Sequence, residues 1–239
     1  MKTSAILIIS AVVITLIALT AYNFTLRASY LKGNYKNPFY GMEFTPIKDL
    51  NSITIGSANR VSIVIEHGVK EGIWLTGDAS QMVSWSHQNH DLQIDLTRKS
   101  KEEHDWISGR SIIIVTNHLA KVTTKAYYKS REDENSYTIG ETEITGYKEG
   151  SLQLLMDRST TIYMDKNQLQ SVKAIVGDAQ HGGSRLNLSK DNTIGSADFT
   201  VAGDSEIRLT GPNITKTNYN LSDKASVLLN GKALQAIRN

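Results

Sequence analysis

The sequence predicts an all-β fold: a parallel β-solenoid of short strands, preceded by one N-terminal transmembrane helix. Three observations predict it. An apolar-polar-apolar triplet, Leu186-Asn187-Leu188, returns as Ile207-Arg208-Leu209 and again, with an apolar centre, as Val227-Leu228-Leu229, at steps of 21 and 20 residues. An interleaved triplet, Phe199-Thr200-Val201, returns 20 residues later as Tyr219-Asn220-Leu221. Near the N-terminus, residues 5–22 (AILIISAVVITLIALTAY) carry no charge.

Period-two alternation sends Ile207 and Leu209 to one face of a strand and Arg208 to the other. A strand of three residues buries too little to stand by itself. Stacking copies one lap apart builds a continuous apolar column that offsets the entropy of ordering. A lap of about 20 residues suits two or three short strands joined by turns. The leucine-rich repeat has a similar lap, but its L-x-x-L-x-L pattern is missing. An antiparallel β-sandwich also spaces strands about 8–12 residues apart, so it stands as the alternative.

The 239 residues suffice for one large all-β domain or two small ones. The 26 basic and 24 acidic residues leave a net charge of +2, too weak a field to point to nucleic acid. There is no cysteine, which excludes disulfides, thiolate zinc sites and thiol catalysis. No cofactor is expected.

Taken as a helix, the uncharged run from Ala5 to Tyr22 spans about 27 Å, close to a bilayer core. It follows Met1 and Lys2 like a secretory signal, yet it is longer than the usual apolar region. Its best cleavage site, Leu19-Thr20-Ala21, is poor, so an uncleaved anchor is expected over secretion after cleavage. Arg27, Lys32 and Lys36 follow it and lean the other way, toward a cytoplasmic C-terminal side. Large domains translocate largely regardless of such charges, so a periplasmic or envelope-facing domain is expected. The expected organisation is a tail at 1–4, the anchor at 5–22, a linker at 23–37 and the β domain at 38–239.

Strand signals begin after Pro38. They fall at Met42–Phe44, Ile53–Ile55, Val61–Ile65, Gly72–Thr76 with a turn at Gly77-Asp78, and Asp91–Leu96. Gln81 to Trp85 reads as a short helical or irregular excursion, and Arg98 to Trp106 as a charged loop. The unbroken run Ser111–Val115 predicts a strand buried on both faces. Further strands are expected at Val122–Tyr128, Tyr137–Ile144, Leu152–Leu155, Ile162–Met164 and Leu169–Val176, with an exposed loop at 129–135.

The order Phe44…Ile47…Leu50, Ile53–Ile55, Val61–Ile63, Ile73-Trp74-Leu75-Thr76-Gly77-Asp78, Leu92–Leu96, ending in short Ala/Asp/Ser-rich strands, resembles the auto-transporter adhesin head-domain family. That family is a domain of unknown function in Gram-negative envelope proteins, and the likeness covers roughly 44–229. The resemblance implies a β-solenoid with an export segment and no catalytic residues. This chain departs in its long uncharged segment and in having no cysteine for lipid attachment.

Several clusters invite chemistry. His87, His90 and Asp91, with His104, have metal-ligand character, but a solvated turn accounts for them. Glu102, Glu103 and Asp105 are neighbouring acids in a basic loop, which a hydrated surface explains better than catalysis. Asp204 and Asp223 fit turn capping. Trp74, Trp85 and Trp106 are the candidate partner-contact residues, with Tyr127 and Tyr128 as further stacking candidates. Trp74 has opposite parity to Ile73 and Leu75, so it faces away from them. The Asn-x-Ser/Thr triplets at Asn187, Asn213 and Asn220 are assigned no role.

The functional expectation is a non-enzymatic, adhesin-like binding module at the cell envelope. It would be held in the membrane and would bind an envelope protein or glycan. One alternative is a polysaccharide-acting enzyme, for which acids such as Glu141, Glu143, Asp157 or Asp165 must converge on a groove. Another is a structural subunit whose open end is covered by a second copy, a homo-oligomer.

Overall fold

The computed structural model describes residues 3–33, 36–129, 140–148, 150–179 and 182–231. Most of the loop expected at 129–135, the start of the strand expected at Tyr137, and everything beyond Gly231 lie outside them. The chain divides into two compact units, 1–41 and 42–239.

The first unit carries α1 (Thr3–Leu31), 29 residues and about 43 Å long. It is long and apolar enough to cross a membrane. The linker expected from Asn23 instead begins as helix, because residues 23–31 hold no proline or glycine to stop it. Thr15, Thr20 and Thr25 donate their hydroxyls back to the carbonyls of Ala11, Leu16 and Tyr22, at 2.9, 2.7 and 2.7 Å. That satisfies the polar groups within the helix itself.

The second unit opens with β1 (Met42–Pro46), β2 (Ser52–Ile55), β3 (Ile63–His67), β4 (Gly72–Thr76), α2 (Gly77–Met82), β5 (Val83–Gln88) and β6 (Asp91–Leu96). Next come α3 (Arg98–Glu102), β7 (Ile112–Thr116), β8 (Lys121–Thr124), β9 (Thr142–Thr145), β10 (Ser151–Met156) and β11 (Thr161–Asp165). It ends with β12 (Gln168–Val176), β13 (Arg185–Leu188), β14 (Thr193–Val201), β15 (Glu206–Thr210), β16 (Asn213–Leu221) and β17 (Ser226–Asn230).

Among the described residues these strands form two sheets. One has nine strands in the order β1-β4-β7-β3-β9-β11-β13-β15-β17, the other eight in the order β16-β14-β12-β10-β8-β2-β6-β5. Both are mixed and mostly parallel, and neither closes on itself. The antiparallel pairings are β1–β4, β4–β7 and β5–β6, all at one end. From β7 onward the chain changes sheet at every strand.

Register places the repeated triplets directly beside one another. Leu186 pairs with Ile207, and Ile207 with Val227. In the other sheet Ala174 pairs with Phe199, and Phe199 with Tyr219. A small residue beside a large one fills the space between the sheets. Ile162, Leu186 and Ile207 are fully buried, each worth about 1.5–3 kcal/mol of transfer free energy. Thr142 occupies the same column between Ile63 and Ile162, buried, with no partner for its hydroxyl among the described residues.

Polar ladders hold the corners. Asn167 Nδ2 donates to Ile144 O at 2.9 Å and to Asn192 Oδ1 at 3.0 Å. Asn192 Nδ2 donates to Met164 O at 2.7 Å. One lap later the position is Pro212, which cannot continue the ladder. At another corner Thr124 donates to Thr160 at 2.9 Å, and Ser184 and Ser205 accept from the backbone N–H of Thr160 and of Ser184. One lap later stands Ala225.

Several local expectations are corrected. Gly77-Asp78 is the first turn of α2, capped by Thr76, whose hydroxyl accepts from Ala79 N–H at 3.4 Å. The excursion expected from Gln81 closes as α2, and the chain then enters β5. Residues 98–102 form α3 under a matching Thr97 cap. The strand expected to reach Tyr128 stops at Thr124, where Asn59 takes over the backbone of Tyr127 with bonds of 2.9 and 3.1 Å. β7 is buried on both faces as expected. The turn after β3 packs on its outer side so closely that a side chain at Gly68 would meet Val115 at 2.7 Å.

Candidate functional site

The outward residue of each triplet also lines up. On the outer face of the nine-stranded sheet, Phe44 pairs with Trp74, Trp74 with Ile113, and Ile113 with Val64. The same row continues through Glu143, Tyr163, Asn187, Arg208 and Leu228. Adjacent strands place these side chains about 4.8 Å apart.

A groove of about 670 Å³ lies over this row. Glu143, Tyr163, Asn187 and Arg208 line it together with Arg110, Glu141, Asp165, Ser189, Thr210 and Asn230. Arg110 reaches in from the loop before β7. It donates to Glu66 at 3.2 Å and pairs with Glu143 at 3.7 Å. Arg185 pairs with Glu206 at 3.4 Å, and Arg208 Nε donates to the same carboxylate. The Glu206 hydrogen bond raises the Arg208 guanidinium further above its usual value. These ion pairs are partly exposed, so each adds about 0–1 kcal/mol to stability and chiefly fixes geometry.

The Tyr163 hydroxyl donates to Glu141 Oε1 at 3.3 Å. Burial raises its pKa, the Glu141 charge and hydrogen bond add to the rise, and Arg185 and Arg208 oppose it. The ring remains 37% exposed to the groove. Asn187 Nδ2 is shielded from solvent and has no acceptor among the described residues.

Glu141, Glu143 and Asp165 thus do share a groove, whereas Asp157 lies outside it, at the corner after β10. The three acids sit on one open floor. None is mounted on an opposing wall, as carboxyls flanking a glycosidic bond would be.

The tryptophans are dispersed. Trp74 stands on the outer face, as its parity requires, with its ring centroid 4.5 Å from that of Phe44 and Lys70 Nζ 4.3 Å from its own. It shares the groove's row, four strands from Tyr163, about 19 Å. Trp85 lies in the other sheet, opposite Ile94 on the outermost strand. Beside it a cavity of about 330 Å³ is lined by Thr54, Gln93, Asp95 and Lys125. A side chain at Gly56 would displace the Asp95 carboxylate, since a Cβ there would fall 2.4 Å from its carboxyl carbon. Trp106 is 58% exposed in the loop after α3.

His87 lies in β5, and His90 occupies the β5–β6 turn. Asn89 and His90 have φ of 49° and 66°, the two-residue turn whose twist matches paired strands. His90 Nδ1 lies 2.8 Å from Asp49 O, and His104 Nδ1 lies 3.2 Å from Glu102 O. Glu102 and Glu103 pair with Arg98 and Lys99 on the exposed face of α3, and Asp105 follows it. Asp204 and Asp223 sit in the turns before β15 and β17. Cations cover Tyr127 and Tyr128: Lys101 Nζ lies 4.9 Å from the first ring and the Arg158 guanidinium 4.9 Å from the second.

The groove residues Arg110, Tyr163, Asn187 and Arg208 escaped the sequence reading. The signal that finds Asn187 and Arg208 is the polar centre of the repeated triplets at 186–188 and 207–209, and Tyr163 holds the same place in the strand expected at Ile162–Met164; these centres line up on the outside wherever the flanking residues line up inside.

No family model matches the chain, and no curated protein matches it. Solved structures do resemble it. One is a "putative adhesin" from Bacteroides fragilis NCTC 9343, at 11% identity and a TM-score of 0.39, covering 79% of this chain and 95% of that one. Another is a "putative lipid binding protein" from Parabacteroides distasonis ATCC 8503, at 13% and 0.37, covering 80% and 94%. A third is a "putative adhesin" from Parabacteroides merdae ATCC 43184, at 11% and 0.31, covering 79% and 95%. At such low identity and similarity, function has to be argued from this chain's own groove.

Proposed function

We propose that this chain is a non-enzymatic, adhesin-like binding module. A β-solenoid carries it, α1 anchors it in the membrane, and its β unit is exported to face the cell envelope. The observation that carries this reading is the groove on the outer face of the nine-stranded sheet. It is a built recess with fixed polar groups and one exposed aromatic ring. Its acids are already engaged, Glu143 by Arg110 and Glu141 by Tyr163, which favours holding a ligand over cleaving one. The lap-by-lap parallel register favours the solenoid over an antiparallel sandwich. The length and apolarity of α1 favour a membrane anchor.

Hydrogen exchange on the full chain in lipid nanodiscs, with and without solubilised envelope extract, tests the binding reading. Protection is expected in β9, β11, β13 and β15. Protection elsewhere, or none, contradicts it. Cell fractionation with protease protection tests export: the β unit should resist protease until the outer barrier is opened.

A second reading, assembly with another copy, is favoured by the edge strand β16, where Tyr219 and Leu221 are 43% and 45% exposed and the outer edge has no strand partner among the described residues. Sedimentation of the full chain in detergent tests it. Leu221→Lys should dissolve any oligomer built there.

A further inference from the structure

We infer that the groove takes a neutral, hydroxyl-rich oligosaccharide laid across the strands, with Tyr163 as its stacking platform. The inference rests on the binding reading above and names the ligand class for that site.

Charge argues first. The charged lining residues are the two guanidinium groups of Arg110 and Arg208 against the three carboxylates of Glu141, Glu143 and Asp165, which leaves one negative charge. Arg110 is committed to Glu66 and Glu143, and Arg208 to Glu206. With its cations committed to acids and its lining close to balanced, the groove offers neither a polyanion nor a polycation a strong field of opposite sign among the described residues. An uncharged ligand needs no such field.

The pattern of polar groups argues next. Along the row an acceptor (Glu143), a hydroxyl (Tyr163), an amide (Asn187) and a donor (Arg208) follow at about one strand spacing each. A sugar hydroxyl both donates and accepts, so it can bond to every one of them. A rotation of the Asn187 side chain would bring its unpaired amide to such a hydroxyl.

Tyr163 supplies an apolar face, 37% exposed and fixed at its hydroxyl by Glu141. The cavity of about 670 Å³ falls within the range of small-ligand sites. A polypeptide is the poorer fit. Strand addition needs a sheet edge, whereas this groove lies on a sheet face.

The test is calorimetry on the full chain in nanodiscs with neutral hexasaccharides of glucose, mannose and N-acetylglucosamine, and with dextran sulfate as the anionic probe. At least one neutral sugar should bind. Tyr163→Ala should weaken it about tenfold or more, and Tyr163→Phe should stay within about threefold of the parent. Val69→Ala, exposed and outside the groove, should change nothing, and matching thermal midpoints guard against misfolding.

Three results overturn the inference: no neutral sugar binds, Tyr163→Ala binds as well as the parent, or dextran sulfate binds more tightly. If groove protection by envelope extract survives periodate oxidation of the extract but not its proteolysis, the ligand is a protein. The sugar assignment then falls while the binding reading stands. If the extract gives no groove protection at all, the binding reading falls too.

Discussion

At one end of the β unit, Ile73, Leu75 and Val83 are buried beneath antiparallel strands and α2, which drops Ala79 into the core. At the other, Tyr219 and Leu221 stand 43% and 45% exposed, although Phe199 and Val201, one lap earlier in the same columns, are 1% exposed. The residue types scarcely differ. What differs is whether another described strand lies beyond. The first end is closed by reversing strand direction. At the second, β16 and β17 are the last strands among the described residues, and both corner ladders end there, at Pro212 and Ala225. Burial in such a column is conferred by the neighbouring strand, so an apolar residue on the last described strand contributes only part of what its twin contributes inside.

The sharpest way to break that contrast is to cut equivalent side chains from the two laps. Phe199→Ala should cost about 4 kcal/mol in urea unfolding of the full chain, and Tyr219→Ala about 1–2 kcal/mol. Equal losses would mean that something covers the last lap. Hydrogen exchange should agree, with β16 and β17 opening before β3 and β7.

The ladder offers a second comparison. Asn192→Ala should cost about 2–3 kcal/mol, because it strips a partner from Asn167 and from Met164 O in the interior. Pro212→Ala, where the ladder has ended, should change stability by less than about 1 kcal/mol.

Smaller effects sharpen the picture of the closed part. Thr142→Val removes an unpaired buried hydroxyl with little change of shape and should add about 1 kcal/mol.

The smallest expected effect is in pH. Burial, reinforced by Glu66 and Glu71, raises the Tyr147 hydroxyl well above its usual value, and its oxygen has no partner among the described residues. A pKa raised on folding gives stability that is complete below about pH 10 and is lost as pH climbs beyond it. Tyr163 and Tyr219 shift the same way. Tyr147→Phe should flatten the fall in melting temperature between about pH 9 and 11.

Much of the fold was legible because alternation is local. The triplets at Leu186, Ile207 and Val227 announced their own register, and the run from Ile112 to Val115 announced a strand covered on both sides. β5 was not legible. Its sequence, VSWSHQ, is polar because it is an edge strand with little to bury. α2 and α3 are too short to show a helical period, and their local signature is only the Thr76 and Thr97 caps. The tryptophans drew attention by residue type, yet the groove is built from commoner residues that lie far apart in sequence.

The sequence by itself determined the apolar helix, the strand alternation and the lap that sets lateral register, since each follows from neighbours along the chain. The tertiary structure decided the order β7-β3-β9-β11, in which an early strand inserts between two later ones. That order brings Arg110 to Glu143 and, one strand further, Tyr163 beside them. Pairing between distant strands answers to the joint packing of both sheets, which no stretch of twenty residues contains, and so the groove exists only once the whole stack has formed.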